Sequence, residues 1–247
     1  SASMDLNAGQ TSVSGFEIDR MSARANASGP LDNLDFVVAV DVPTMSRGEL
    51  SFTNLRLGAD GNYADGALAT NASLDAETSN GPLDLTTNIR LNGADWQVSD
   101  LEAHWGELVA DASLTGSGGD VSQIRGDADI RGALPDGLPA KSIDASANIN
   151  GQTLALDATL QTVAFGPTRA DALVIRATGQ PDNADILIDM DGRSEINGLT
   201  YPTSIDLDAN VKGATIGALD VTASLSALMG DIGITTEEAI RFTQYAD

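Results

Sequence analysis

The sequence contains no cysteine and has few aromatic and few basic residues. The lack of cysteine excludes disulfides, thiolate metal sites and a cysteine nucleophile. Aromatic residues make up only 4% of the 247 residues although 42% are hydrophobic, so Leu, Ile, Val and Ala would have to build a core. Basic residues number 13 against 36 acidic ones, which gives a formal net charge of −23. Because Lys and Arg bind phosphate backbones and anionic lipid surfaces, we exclude nucleic acid as a partner and expect repulsion from anionic membranes.

Long apolar runs are missing as well. No stretch of 18 apolar residues is present, and the opening SASMDLNAGQ does not form a signal peptide. The repeating pattern described below is already under way where the sequence starts and is unfinished where it ends. We therefore expect the chain to be an internal piece of a longer protein.

Alternation of apolar and polar residues is abundant, as in SIDASANINGQTLALDATLQ, residues 142 to 161. If Asn150 and Gly151 are the centre of a type I′ turn, apolar residues face each other on one side. The predicted pairs are Ile149 with Gln152, Ala147 with Leu154, Ala145 with Leu156 and Ile143 with Ala158. The same register sets Asp144 opposite Asp157 on the polar side, which is tolerable only in solvent. The stretch predicts an amphipathic β-hairpin.

The alternation recurs along the chain and is separated by Asn-Gly and Asp-Gly pairs. These pairs begin at Asp60, Asp65, Asn80, Asn92, Asp136, Asn150 and Asn197. At Asn92-Gly93 a tight turn would set Ile89 opposite Trp96 and Thr87 opposite Val98. The alternation slips near Asp100, which predicts a bulge.

These patterns predict an all-β fold of roughly sixteen antiparallel strands of about eight residues. We expect one repetitive segment over 1–247, a long, curved sheet folded into an elongated apolar-lined groove. The alternatives are a β-sandwich and a β-solenoid. The loose stretch GSGGDVSQ, residues 116–123, predicts a kink or a unit boundary. Thr235 with Glu238 fits a capping box, which predicts a short helix over 235–245. The alternative for this segment is a further strand.

The phrases FEIDRMSARANASGPLDNLDFVVAVDV, LSFTNLRLGADG and ALVIRATG, with the Asp- and Ala-rich composition, resemble the TamB family. This family is the inner-membrane component of the translocation and assembly module of Gram-negative bacteria, related to AsmA-like proteins. The resemblance spans essentially the whole chain and implies an internal periplasmic segment of a protein anchored in the inner membrane. It implies a groove that carries phospholipid between the inner and outer membranes. It also implies a role in outer-membrane protein assembly, with a TamA-type barrel protein as partner through a C-terminal region missing from this chain.

The expected ligands are phospholipid acyl chains, and the expected groove lining is the set of large apolar residues at alternating positions. The candidates are Phe36, Val38, Val40, Leu83, Leu85, Ile89, Leu91, Leu108, Leu114, Ile143, Ile149, Leu154, Leu156, Leu160, Leu173, Ile175, Ile186, Ile188, Ile205, Leu207, Val211, Leu219, Val221 and Leu225. We expect neither catalysis nor a cofactor. The alternative function is a structural or adhesive β-repeat module of a secreted protein, and a carbohydrate-active enzyme is a weaker one.

Four features resemble catalytic or metal sites and are better explained otherwise. His104 is the single histidine, so an imidazole cluster is excluded, and we expect it in a loop or at a strand edge. The run DMDGRSE, Asp189 to Glu195, lacks the Glu at position 12 that a calcium loop needs. The run DGNYADG, Asp60 to Gly66, is interpreted as a double turn. The many carboxylates lie at alternate positions, which predicts a solvated acidic face rather than a glycosidase pair.

Overall fold

The computed structural model describes the chain except residues 14, 49, 119–120, 136–137, 181–182, 214–218, 237–239 and 245–247. It divides into two compact units, Ser1–Gly118 and Gly119–Asp247. The division falls inside the loose stretch 116–123, where a short 3₁₀ turn covers Val121–Gln123. In the described residues the fold is an all-β antiparallel meander, as the alternation predicted.

The described residues of unit 1 form ten strands. They are β1 (Ala2–Ala8), β2 (Thr11–Val13), β3 (Phe16–Ile18), β4 (Met21–Ser28), β5 (Asn33–Arg47), β6 (Leu50–Ala64), β7 (Ala67–Thr78), β8 (Gly81–Asn92), β9 (Asp95–Trp105) and β10 (Leu108–Ser117). From β4 onward each strand pairs with the next. Strands β1 and β2 pair with β4 and β3 in one register, so these four pieces form a single interrupted hairpin.

Nine strands lie in the part of unit 2 that the structure describes. They are β11 (Arg125–Ala133), β12 (Ser142–Asn150), β13 (Leu154–Phe165), β14 (Thr168–Gln180), β15 (Asn183–Ile196), β16 (Leu199–Lys212), β17 (Leu219–Met229), β18 (Ile232–Thr235) and β19 (Ile240–Gln244). Each strand from β11 to β17 pairs antiparallel with its successor, and β18 and β19 both pair with β17.

Strand number and length differ from the sequence-based expectation. The nineteen described strands exceed the sixteen expected, and several have 12 to 15 residues rather than eight. Every described pairing is antiparallel, so a parallel β-solenoid is wrong. A helix over 235–245 is also wrong where the chain is described, because Ile240–Gln244 forms β19; Glu238 lies outside the described residues.

The registers of the two hairpins predicted in detail are wrong by two residues. Ile149 faces Leu154 and Ala147 faces Leu156, because Gly151 (φ +59°) is the first central residue of the turn instead of the second. This register pairs Ile149 with an apolar residue rather than with Gln152. It also separates Asp144 from Asp157, which lie opposite Thr159 and Ser146.

The Asn92-Gly93 hairpin shifts in the same way. Leu91 faces Trp96 and Ile89 faces Val98, with Gly93 (φ +60°) as the first turn residue. A shift of two residues leaves every side chain on its predicted face, since the side-chain period of a strand is two.

The other Gly-containing pairs behave in three ways. Asp65-Gly66 and Asn197-Gly198 are tight turns with both φ angles positive, as type I′ requires. At Asn80-Gly81 the turn centre is Ser79 and Asn80. Asp60-Gly61 lies inside β6, so the double turn expected over Asp60–Gly66 is wrong. Asp136-Gly137 lies outside the described residues.

Bulges interrupt the ladders of the described strands at three places: at Asn54 in β6, at Asp100 in β9, and at Thr162 in β13, which lies opposite Asp171 of β14, where the register with β15 shifts. Asn54, Asp100 and Thr162 have positive φ. The bulge at Asp100 confirms the predicted slip. Bulges bend a strand and increase its twist. Two small buried clusters lie beside the bulges at Asn54 and Thr162, one in each unit. The first contains Val42, Leu55 and Ala76, and the second contains Ala140, Val163, Ala170 and Met190.

The turn at Gly151 gives a direct stability test. A Cβ at Gly151 would collide with the carbonyl of Ser122, whereas a Cβ at Gly198 would meet open space. Both residues have positive φ, so alanine costs about 1–2 kcal/mol at either position. We expect Gly151→Ala to lower the free energy of unfolding by more than Gly198→Ala, measured by urea unfolding. Equal losses would contradict the close packing of Gly151 on Ser122.

Candidate functional site

One face of the unit 2 sheet carries no polar side chain over four consecutive cross-strand rows. The register connects the members of each row directly. The rows from β11 to β17 are Gly126–Ile149–Leu154–Gly179–Ala184–Val211–Val221, then Ala128–Ala147–Leu156–Ala177–Ile186–Ala209–Ala223, then Ile130–Ala145–Ala158–Ile175–Ile188–Leu207–Leu225, and finally Gly132–Ile143–Leu160–Leu173–Met190–Ile205–Ala227. The rows span about 20 Å along each strand, from residue 154 to residue 160 of β13.

Unit 1 has an equivalent face. One of its rows is apolar across eight strands, and others are broken only by Thr70 or Thr87. The complete row is Leu6–Ala23–Val40–Leu57–Leu74–Leu85–Ala103–Ala110. Trp96 and Trp105 also lie on this face, opposite Leu91 and Leu83. We call these two surfaces the apolar faces of units 1 and 2.

Most charged side chains of the described strands lie on the opposite faces. There Asp41 and Arg56 face each other at 3.7 Å, and Arg176 donates to Asp157 at 3.1 Å. Most of these groups are more than half exposed. Exposed ion pairs of this kind contribute little to stability, about 0–1 kcal/mol each, so these faces act chiefly as solvated surfaces.

The structure places the predicted lining residues on the two apolar faces. All are half-buried except Leu91, which is exposed, and Leu219, whose side chain lies outside the described residues. Phe36 to Leu114 belong to unit 1 and Ile143 to Leu225 to unit 2, so the candidates form two sets.

Several residues of these faces were missed by the sequence analysis, among them Leu55, Leu101 and Val163. Each follows a bulge, where the spacing between inward residues increases from two to three, as from Leu160 to Val163. The signal available in the sequence was a spacing of three, instead of two, between apolar residues next to Asn, Asp or Thr. Trp96 was placed on the same face as Ile89 by the predicted register but was not counted among the lining residues, and Trp105, which lies beyond the bulge at Asp100, was missed.

The apolar faces remain largely uncovered in the structure. All substantial contacts between strands join hydrogen-bonded neighbours, so within each unit the described strands form one layer. Large apolar side chains of these faces are accordingly exposed: Leu6 and Leu57 in unit 1 are 49% and 39% exposed, and Ile130 in unit 2 is 37% exposed.

A chain of hydroxyl groups interrupts the apolar face of unit 2 at one end of the strands. Ser194 Oγ lies 2.8 Å from Thr168 Oγ1 and 2.8 Å from Thr203 Oγ1, and Ser194 is almost completely buried. The three hydroxyls satisfy one another. They therefore do not offer a ligand an unpaired buried group.

Nothing in the described residues resembles a catalytic or metal centre. His104 lies on the solvated face of β9, 3.9 Å from Asp84, within a paired strand rather than in a loop or at an edge. Residues 189–195 lie in β15 and do not form a calcium loop. No group of three metal-ligating side chains converges in the described ranges. Nor is any helix there long and apolar enough to span a membrane.

The solvated face of unit 2 contains a shallow concavity of about 490 Å³. Asp189 and Asp206 face each other there across β15 and β16. The hydrogen bond with Asp189, followed by desolvation and by repulsion from Asp189 and Asp191, raises the pKa of Asp206 above its ordinary value of 3.8.

Comparison with protein-family models matched no family, and searches of curated proteins and of solved structures found no match.

Asp206 provides a test of this electrostatic arrangement. Its raised pKa means that the folded state favours the protonated carboxyl, so ionisation at neutral pH destabilises the fold. We expect Asp206→Asn to raise the melting temperature at pH 7. This advantage should shrink as the pH falls through the pKa of Asp206, because the wild-type side chain then becomes neutral too.

Circular dichroism melts over a pH series measure the effect. Asp208→Asn, which removes an exposed charge from the same strand, is the control. An equal gain in both variants at pH 7 would assign the effect to net charge rather than to the contact with Asp189.

Proposed function

We propose that this chain is a segment of a TamB-like lipid conduit, whose apolar faces hold phospholipid acyl chains in an elongated groove. The observation that carries the proposal is an apolar face, four rows wide in unit 2, without a charged side chain and without a covering layer among the described strands. Leaving such a surface in water is unfavourable. An acyl chain gains about 0.8 kcal/mol for each methylene that it buries.

The chemistry of the face favours transport over storage. A site that holds one ligand in one pose uses a few placed polar groups. The lining of both units consists of side chains such as Leu, Ile, Val and Ala, and the buried hydroxyls of unit 2 are already paired. A lipid can therefore shift by one row without losing a specific hydrogen bond.

The cellular setting follows from the TamB resemblance. It places the segment in the periplasm, within a protein anchored in the inner membrane, and makes phospholipid movement between the inner and outer membranes its role. The same resemblance supports the proposal that the parent protein assists outer-membrane protein assembly and autotransporter secretion with a TamA-type barrel. No chemistry is performed on the lipid in this proposal.

Bound lipid can be detected directly. We expect phospholipid in an organic extract of the purified chain by mass spectrometry. We also expect dibrominated phospholipid to quench Trp96 and Trp105, which both lie on the apolar face of unit 1. No lipid in the extract and no quenching by added brominated lipid would contradict the proposal.

A substitution on the apolar face should reduce lipid binding without unfolding the chain. Leu156 is half-buried between Ala147 and Ala177, so Leu156→Asp places a carboxylate where an acyl chain would lie. An unpaired charge in an apolar environment is costly. We therefore expect Leu156→Asp to reduce the amount of lipid bound on the apolar face of unit 2 roughly tenfold.

The matched control is Leu187→Asp, the same change at a residue 47% exposed on the opposite face. Circular dichroism measures the fold and mass spectrometry the lipid. If Leu156→Asp unfolds the chain while Leu187→Asp does not, residue 156 lies in a closed core and the conduit model fails. Equal lipid in both variants would contradict it as well.

A further inference from the structure

The two ends of the unit 1 apolar face differ in exposure. At one end Val42, Leu55 and Ala76 are only 4–7% exposed, beside the bulge at Asn54. At the other end Tyr63 and Leu91 are 41% and 42% exposed, in the row that also contains Trp96. We call these the closed end and the open end of unit 1. An acyl chain can be buried more deeply towards the closed end.

The open end is bordered by hairpin turns that contain carboxylates. Asp32 lies in the turn between β4 and β5, Asp65 in that between β6 and β7, and Asp95 directly follows the turn between β8 and β9. All three are exposed, and the first two turns are joined by a bond from Asp65 N to Asp32 O of 3.2 Å. Asp32 and Asp65 lie opposite each other on neighbouring strands, roughly 5 Å apart, and Asp95 lies three strands further along the same edge, roughly 14 Å from Asp65. We call these three residues the acidic rim.

The closed end has a different charge pattern. Arg47 is the last residue of β5, and its guanidinium lies 5.4 Å from the centroid of the Phe16 ring. Glu77 lies near the end of β7 and Glu107 in the turn between β9 and β10. Positive and negative groups are therefore mixed at the closed end. At the open end Arg90 lies on the solvated face of β8, two residues before that strand ends.

The open part of the face fits one acyl chain. From Leu91 to Leu85 along β8 the distance is about 20 Å, and the acyl chain of one bilayer leaflet occupies about 15 Å. A lipid with its chain ends towards Val42 and Leu55 places its headgroup at the acidic rim. The reverse orientation would bring the headgroup against the most deeply buried apolar residues.

We propose that a lipid on the apolar face of unit 1 has its headgroup at the acidic rim, and that the rim favours a headgroup with an ammonium group over an anionic one. This rests on the proposed function, because it needs a lipid on that face. Charge complementarity supplies the preference. At an ionic strength of about 10 mM the screening length is about 30 Å, so all three carboxylates act on the headgroup.

The orientation can be tested with the two native tryptophans. Trp96 lies at the open end and Trp105, opposite Leu83, at the closed end. The Trp105→Phe variant keeps Trp96 as its fluorescent reporter, and the Trp96→Phe variant keeps Trp105. With phosphatidylethanolamine brominated near the carbonyl, we expect stronger quenching of Trp96, and with bromine near the chain terminus stronger quenching of Trp105. The reverse pattern, or no dependence on bromine position, would overturn the orientation.

The headgroup preference is tested by competition. Dibrominated phosphatidylethanolamine and phosphatidylglycerol, each in the same non-ionic detergent, are titrated against the chain at low salt. We expect roughly fivefold tighter binding of phosphatidylethanolamine, since its ammonium group is attracted to the carboxylates of the rim and phosphatidylglycerol carries no positive charge. The preference should largely disappear at 1 M salt, where screening acts within about 3 Å.

The triple variant Asp32→Asn, Asp65→Asn, Asp95→Asn should bind both lipids alike at low salt. Asn suits the positive φ of residue 65 as well as Asp does, so the turn is preserved. The control carries Asp191→Asn, Asp208→Asn and Asp231→Asn, the same change in net charge in unit 2, and should keep the preference.

Loss of the preference in the control would overturn the role of the rim, as would equal binding of the two lipids by the wild type. Failure of both lipids to bind at any salt concentration would instead contradict the proposed function.

Discussion

The structure depends on the antiparallel register, which keeps apolar side chains on one face of every strand in a unit. In such a ladder, residues directly opposite each other project to the same side, so a row that begins at Ala128 remains apolar to Ala223. One strand paired one residue out of step would place its charged side chains on the apolar face. The segregation of the two faces is thus a property of all the pairings together, and it makes a charge-free surface without any single binding residue.

This constraint explains which sequence-based predictions succeeded. Period-two alternation predicted the strands, their antiparallel pairing and the face of residues such as Leu156 and Ile188, because face depends only on parity. Turn centres were predicted less well. Asn197-Gly198 is centred as a type I′ turn requires, but at Asn150 and Asn92 the glycine takes the first central position. The Asn-Gly dipeptide allows the glycine to be either the first or the second central residue of the turn. The pairing of Ile149 with Leu154, which the whole ladder determines, selects the first arrangement.

The bulges were the other source of error. Asn54 and Thr162 each add one residue to a strand, which breaks the alternation and hides Leu55 and Val163 from a period-two search. These positions matter because the two buried clusters form beside them. Strand length was underestimated for a related reason: Asp60-Gly61 has the composition of a turn, yet Gly61 lies under Phe36 within the sheet, where the aromatic ring covers the missing side chain. Neighbouring strands decide such positions, and they are not visible in a local pattern.

Under the proposed conduit function, the same arrangement separates two requirements of a lipid carrier. The apolar faces must remain available to acyl chains, while the chain must not aggregate through them. A net charge of −23, carried by the solvated faces and the turns, opposes the approach of another copy. An acyl chain is uncharged along its length and meets no such repulsion. In the proposed conduit an acyl chain therefore reaches a surface from which a second, like-charged chain is repelled, and the carboxylates at the strand ends act on the lipid only through its headgroup.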